Sequence, residues 1–247
     1  MDAVKVNKNA LRLEGLKALP DKSVDLIITD PPYGKKADKG TSGFGSAKNR
    51  RYKGGWDDKI PAPEYFSEML RVARNVIIFG GNYFCHLLPP TNGWIFWDKK
   101  GDIQFKNPFS DGELIYTTFK GPLKKIVFKQ QGFISDSKDK RYHPTQKPSE
   151  LVEQLLETYS NPRDIVLDPF MGSGTTAVAC LKTGRNYIGF ELSPEYHAIA
   201  LLKMNKKRLT AQQFKTLKGQ ILAGDDIGAL KGMHKILNQK ESPQNEA

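Results

Sequence analysis

The sequence predicts an α/β protein built on an open, doubly wound and mostly parallel sheet. Three observations carry that prediction. Short apolar runs of strand length recur along the chain, segments with helical apolar spacing lie between them, and one run passes into a helix through a glycine-rich turn. At 247 residues the chain is long enough for a single large domain with a substantial core.

Taken in order, Val24-Asp25-Leu26-Ile27-Ile28 is the first run, then Val76-Ile77-Ile78-Phe79 and Trp94-Ile95-Phe96-Trp97. Near-continuous apolar character without alternation is the mark of strands covered on both faces, so all are expected to be buried and parallel. Leu151, Val152, Leu155, Leu156 and Tyr159 then recur at helical spacing. Ile165-Val166-Leu167 is the next strand, and Ala177, Val178, Cys180 and Leu181 supply the apolar face of the helix after it. Tyr187-Ile188-Gly189-Phe190 is a further strand. Ser193-Pro194-Glu195 opens a helix, with an N-cap hydroxyl, proline at the first helical position and an acid in the first turn.

Two stretches break the alternation. Residues 34–59 hold eight Lys or Arg against three Asp, and residues 120–147 hold eight against two. Both read as long loops, and Phe119, Phe128, Phe133 and Tyr142 around the second give it the look of a partner-binding insert. The chain as a whole carries 38 Lys and Arg against 27 Asp and Glu, a net charge of +11, which points to an anionic partner such as nucleic acid. Apolar runs of about 18 residues are missing, which excludes a membrane-spanning helix, and no apolar stretch follows Met1 to make a signal peptide. With only two cysteines, a disulfide framework and a cysteine zinc site are excluded. Cys85 and Cys180 read as buried small hydrophobes, and a reducing, cytoplasmic location is expected.

The glycine-rich turn is the first candidate site. Asp168-Pro169-Phe170-Met171-Gly172-Ser173-Gly174-Thr175 joins a strand to a helix, with Gly172 and Gly174 allowing a tight turn and close approach of a ligand. Glu191 ends the next strand, 191 − 172 = 19 residues after the first glycine, where a carboxylate grips ribose hydroxyls. The spacing alone names an adenosine-containing cofactor and leaves a nicotinamide dinucleotide open. Charge separates the candidates: Asp168 at the mouth of the loop would repel a pyrophosphate, whereas S-adenosyl-L-methionine brings an ammonium, a sulfonium and a ribose. A phosphate-binding P-loop fails because no Gly-Lys-Ser/Thr follows.

The second candidate is Asp30-Pro31-Pro32-Tyr33, at the end of the first apolar run. In a doubly wound sheet a strand end faces the ligand crevice. The prolines fix the backbone and leave carbonyls as its polar groups. A carboxylate, a rigid carbonyl and an aromatic face in sequence suit an exocyclic amino group on a flat ring. Asp30 and the Pro31 carbonyl can accept its hydrogens, and Tyr33 can stack on the ring.

Together these motifs make the chain resemble the amino-methylating DNA methyltransferases, which act on adenine N6 or cytosine N4. Asp30-Pro31-Pro32-Tyr33 matches the catalytic tetrapeptide, Phe170-Met171-Gly172-Ser173-Gly174 the cofactor loop, and Glu191 the ribose-binding acid. His143-Pro144-Thr145-Gln146-Lys147-Pro148 matches the segment before the cofactor loop, in which Thr145 and Lys147 would bind the methionine part. The permuted order, catalytic motif first and cofactor loop late, is that of the family's β group, and the resemblance spans about residues 4–208. One departure is the acid that members often carry near the first helix; Asn7 or Asn9 stands in that neighbourhood, while Asp225-Asp226 reads as a surface turn.

The resemblance implies a Rossmann-like class I S-adenosylmethionine-dependent methyltransferase and one catalytic domain over residues 1–247. Target-recognition insertions would occupy about 34–62 and 98–145, and a polar, frayed tail about 238–247. It implies methyl transfer to adenine N6 in double-stranded DNA after base flipping, with Tyr33 as the stacking platform. No metal is called for. A homodimer and a partner restriction endonuclease are the protein associations such an enzyme admits. Lys203, Lys206, Lys207 and Arg208 would extend the phosphate-binding surface or form a solvated face. Cytosine N4 as the target, a catalytically idle DNA-binding protein and a nicotinamide-dependent dehydrogenase are the alternatives. Attack at a ring carbon is not among them, because neither cysteine follows a proline.

Overall fold

A computed structural model describes residues 4–7, 12–35, 59–103, 110–131, 134–137 and 146–241. In chain order they form β1 (Val4–Asn7), α1 (Arg12–Lys17), β2 (Val24–Thr29), α2 (Pro63–Val72), β3 (Ala73–Phe79), β4 (Ile95–Asp98), β5 (Gly112–Thr117), β6 (Lys124–Val127), β7 (Gln130–Gln131) and β8 (Ile134–Ser135). There follow α3 (Ser149–Tyr159), β9 (Ile165–Asp168), α4 (Thr175–Thr183), β10 (Asn186–Phe190), α5 (Pro194–Met204), α6 (Ala211–Leu222) and α7 (Asp226–Glu241). A short 3-10 turn at Gly81–Tyr83 follows β3. The chain divides into two compact units, Met1–Gly15 with Asp139–Ala247, and Leu16–Lys138.

In the first unit β1, β10 and β9 lie side by side and parallel, with Lys5 opposite Ile188 and Ile188 opposite Leu167. This register sets Asp168, at the end of β9, beside Gly189 one residue short of the end of β10. Neighbouring strand ends thus deliver Asp168 and Glu191. The predicted helical spacing holds in α3, where Leu151, Val152, Leu155 and Leu156 are buried. In α4 it holds only in part: Ala177, Ala179 and Cys180 are buried, but Leu181 is 45% exposed. About one hundred degrees of rotation past Cys180 carries Leu181 off the packed face. The α5 start is as predicted, with the Ser193 hydroxyl accepting from Tyr196 N–H at 3.4 Å and Pro194 in the first turn.

Beyond α5 the chain adds two helices that the sequence pattern leaves unassigned. Thr210 and Gln213 close a reciprocal capping box at the start of α6. The Asp225 carboxylate accepts from Gly228 N–H at 2.9 Å at the start of α7, so the expected surface turn is also a helix cap. Ala198, Ile199, Leu202, Leu217, Ile221, Ala229 and Met233 pack these helices onto α5. The helix α7 runs through Glu241, past the expected start of the tail at Asn238, and residues 242–247 lie outside the described residues.

The second unit orders its strands β2-β3-β5-β4-β6. β2 and β3 are parallel, with Ile27 opposite Val76; β5 is antiparallel to both β3 and β4. β4 and β6 are again parallel. The Trp94–Trp97 run is therefore not a buried parallel strand of the expected kind. Ile95 and Trp97 are buried while Phe96 and Asp98 are half-buried, the alternation of a strand with one packed face. The 120–147 stretch is not a structureless loop either, since it contributes β6 and the short β7–β8 pair. Exposed Lys124 and Lys125 begin β6, where their charge suits a position at the end of the strand order. Most of the 34–59 stretch lies outside the described residues, as do Asn9, His143 and Thr145.

The core of this unit gathers Leu26, Ile27, Ile28, Met69, Ile77 and Ile78 with Phe66, Phe84, Trp97 and Tyr116, all with exposure of 2% or less. Each such side chain stabilises the fold by about 1.5–3 kcal/mol relative to leaving it in water. The cysteines split: Cys180 is buried as expected, but Cys85, just after the 3-10 turn, is exposed. Burial and the charge of Asp168 push the Cys180 thiol pKa up, so it stays an inert thiol. No helix among the described residues is long and apolar enough to cross a membrane.

Candidate active site

The glycine turn in the first unit is held by its own acids. Asp168 is 4% exposed. One of its oxygens accepts from Phe170 N–H at 3.0 Å and the other from the Thr176 hydroxyl at 2.7 Å. The carboxylate therefore ties the strand end, the turn and the first helical turn of α4 together. Glu191, also 4% exposed, accepts from Gly172 N–H at 2.8 Å and from Ser193 N–H at 2.7 Å, clamping the turn to the start of α5. Gly172 and Gly174 both have positive φ, +52° and +78°. A Cβ on Gly174 would lie 2.6 Å from Ala200 Cβ, so the turn rests directly on α5.

Three further residues complete this half, and the sequence assigns none of them this bracing role at the turn. Thr176 supplies the hydroxyl to Asp168. Gln146 is buried and accepts from the Ser173 hydroxyl at 3.1 Å, and Lys203 Nζ donates to the Ser173 carbonyl at 3.0 Å. Lys203 thus has a task at the turn and is not simply part of a solvated face. Lys147 is half-buried beside Gln146, Pro169 is buried and Phe170 half-buried; Thr175 is buried at the first position of α4. Two buried carboxylates at adjacent strand ends, with a tight backbone turn between them, form a donor and charge set that fits a cationic ligand carrying a ribose. It does not fit a pyrophosphate, which would meet both charges at close range.

The second unit holds the tetrapeptide. Pro31 is buried, and Asp30, Pro32 and Tyr33 are half-buried. The Tyr33 hydroxyl lies 2.6 Å from Asp30 Oδ1 and 2.8 Å from Glu113 Oε1. Glu113 Oε2 accepts from Lys99 Nζ at 2.6 Å, and that ammonium also sits 4.4 Å from the centroid of the Trp97 ring. The Tyr33 ring stacks on Tyr83, with centroids 4.8 Å apart and 28° between planes, and meets Phe84 at 5.9 Å edge-on. Lys35 lies 4.1 Å from the centroid of the Tyr83 ring and donates to its hydroxyl. Gly80 comes so close that a Cβ there would stand 2.5 Å from the Tyr33 ring. Burial first, and then the charges of Asp30 and Glu113, hold the Tyr33 pKa well above the ordinary range, so it remains a phenol. Glu113, Lys99 and Tyr83 carry no sequence motif. Strand register and the turn after β3 bring them to Tyr33 from far along the chain.

Known proteins resemble this chain over most of its length. The DNA methylase family matches residues 88–202. The type II methyltransferase M.HpaI of Haemophilus parainfluenzae is 30% identical over 251 residues, covering 86% of this chain and 76% of its own length. The DNA adenine methyltransferase YhdJ of Escherichia coli (strain K12) is 48% identical over 67 residues, 27% of this chain and 21% of its own. Among solved structures, M1.HpyAVI in complex with S-adenosylmethionine superimposes with a TM-score of 0.54 at 25% identity, covering 81% of this chain and all of the other.

Proposed function

The chain belongs to the N6/N4 DNA methylase family, a family of S-adenosylmethionine-dependent enzymes with the class I methyltransferase fold; on that premise we propose that it methylates the exocyclic N6 of adenine in double-stranded DNA. The observation that carries the choice of reaction is Asp30, followed by two prolines and an aromatic residue, at the end of β2. S-adenosylmethionine supplies the methyl group when bound. Gly172, Ser173, Gly174 and Thr175 would form its cradle beside Asp168, Pro169 and Phe170. Glu191 would take the ribose hydroxyls, and Thr145 and Lys147 the methionine end.

An adenine amino group is conjugated with its ring and is a poor nucleophile. Asp30 and the Pro31 carbonyl would draw its two hydrogens and favour a pyramidal nitrogen. They would then stabilise the positive charge that develops there, a stabilisation present mainly in the transition state. The base must leave the duplex to reach these groups. Tyr33, already stacked on Tyr83 through one face, offers stacking worth about 1–3 kcal/mol against that cost. Basic residues of the 34–62 and 98–145 segments would hold the phosphates and choose the target sequence.

Adenine is favoured because Asp stands first in the tetrapeptide and because the relative YhdJ is named for adenine. M.HpaI is named as a type II enzyme. A restriction endonuclease of matching sequence specificity is therefore the protein partner to seek, along with a second copy of this chain. The test is transfer of labelled methyl from S-adenosylmethionine to DNA, followed by digestion and chromatography. Label in N6-methyladenine is the expected result. Label in N4-methylcytosine overturns the choice of base, and no label in either overturns the reading.

A further inference from the structure

Tyr33 is held at its tip by oxygens and along its ring by carbons, and the two kinds of contact fix different things. Its hydroxyl lies 2.6 Å from Asp30 Oδ1 and 2.8 Å from Glu113 Oε1. In a tyrosine Cβ, Cγ, Cζ and Oη lie on one line, the axis about which the ring turns. Hydrogen bonds at Oη therefore place the tip of the side chain and leave the plane of the ring to other contacts, on a torsion whose own preference is broad and two-fold. A base stacks on a plane. The stacking role proposed above for Tyr33 thus depends on what sets that plane, and the present proposal rests on that role and deepens it.

The 3-10 turn after β3 supplies the contacts along the ring. Tyr83 stacks on Tyr33 with centroids 4.8 Å apart and 28° between planes, and Phe84 meets the ring edge-on at 5.9 Å. A Cβ on Gly80 would stand 2.5 Å from both Cε1 and Cζ of Tyr33 and 2.8 Å from Oη, distances that place it above the ring and not at its rim. Turning the ring would swing its edge toward this backbone.

The turn is itself well anchored. Tyr83 N–H donates to the Gly80 carbonyl at 2.9 Å, and Phe84 N–H to the Gly81 carbonyl at 3.0 Å. Gly81 is buried, and the Tyr116 side chain leaves no room there for a Cβ. Phe84 is fully buried, its ring centroid 5.0 Å from that of Phe66 in α2. Tyr83 stands between these two core residues. Its hydroxyl is engaged by Lys35, whose ammonium also lies 4.1 Å from the centroid of its ring, so it is the aromatic face of Tyr83 that meets Tyr33.

We propose that Tyr83 is a positioning residue that sets the plane of the Tyr33 ring for the incoming base, through its flat face and not its hydroxyl. The test follows the ring and the reaction separately. With isotope-labelled tyrosine, the flip rate of the Tyr33 ring would be measured by NMR in the unliganded protein, its signals assigned with Tyr33→Phe. Wild type would be compared with Tyr83→Phe, Tyr83→Leu and Tyr83→Ala, and single-turnover methyl transfer from S-adenosylmethionine to DNA measured on the same proteins. Tyr83→Phe keeps the flat face and should match wild type in both. Tyr83→Leu and Tyr83→Ala should speed the flips and slow transfer by about three- to tenfold, the range that an aromatic pair contributes beyond its buried area. The S-adenosylmethionine Kd should hold within about twofold, because no residue of the glycine turn is touched. A residue that only supports the fold would shift the melting temperature and leave the Tyr33 flip rate where it was.

Wild-type flip rates in Tyr83→Leu overturn the proposal, and so does wild-type transfer; this variant decides if Tyr83→Ala does not fold. Equal losses in Tyr83→Phe and Tyr83→Leu also overturn it, since they assign the effect to the hydroxyl that Lys35 engages. A wild-type protein that transfers no methyl to DNA sinks the functional reading, while the flip rates still decide whether Tyr83 holds the plane of the ring.

Discussion

Asp30 and Asp168 are both aspartates at strand ends, yet their surroundings give them different work. Both oxygens of Asp168 are engaged by the turn it belongs to, through Phe170 N–H and the Thr176 hydroxyl. Asp30 shares the Tyr33 hydroxyl with Glu113 and belongs to the other compact unit. Replacing Asp30 by alanine should therefore remove a preorganised acceptor without disturbing the cofactor turn. The expected loss is about 10²–10³ in turnover, the magnitude seen when one such group is deleted. Calorimetry should find the S-adenosylmethionine Kd unchanged. A variant with near wild-type turnover would remove Asp30 from the chemistry; one that loses cofactor binding as well would show that it acts on the fold.

At the scale of elements, the contact between the glycine turn and α5 is tight enough to test with one methyl group. Gly174→Ala places a Cβ against Ala200 and asks a residue with a side chain to hold φ near +78°. Strain of this kind costs on the order of 1–3 kcal/mol, so cofactor binding should weaken by tenfold or more. Adding Ala200→Gly removes the 2.6 Å Cβ contact but leaves residue 200 Cα at 3.0 Å and the dihedral strain, and should restore part of the affinity and of the melting temperature. Full recovery would mean that the Cβ–Cβ contact alone mattered, and none that the turn had rearranged. This half was legible in the sequence because its determinants are local: two apolar strands, glycines at fixed offsets and an acid 19 residues on. The antiparallel side of the second unit was less so. β5 offers only Leu114, Ile115 and Tyr116 as an apolar core, and β6 opens with two lysines, so neither has the continuous run that betrayed β2 and β3. Glu113 reaches Tyr33 across 80 residues through the pairing of β5 with β3, a relation that no local pattern encodes. Tyr83 is hidden for a similar reason, since only the tight turn after β3 folds it back onto Tyr33. Leu181 and Cys85 show the opposite failure, apolar residues whose type suggested burial and whose place on the helix face or after the turn exposes them.

The whole molecule carries a net charge of +11, and for a partner that is a polyanion this excess acts through counterion release. Each phosphate neutralised by a lysine or arginine contributes about 0.9 to the slope of log K against log salt on duplex DNA, and several such contacts cost about 10³–10⁵ in affinity between roughly 50 and 200 mM salt. Lys124 is a clean probe of this surface. It is exposed at the start of β6, whereas the neighbouring Lys125 pairs with Asp98 at 3.1 Å. If β6 lies along the DNA backbone, Lys124→Gln should reduce the salt slope by about 0.9 and weaken target and non-target duplexes alike, since a phosphate contact carries no base information. Binding measured by fluorescence anisotropy across a salt series separates the outcomes. An unchanged slope places β6 away from the DNA, and a loss confined to the target sequence makes Lys124 a reader of bases. A wild-type affinity that ignores salt altogether would break the link between the basic composition of this chain and its substrate.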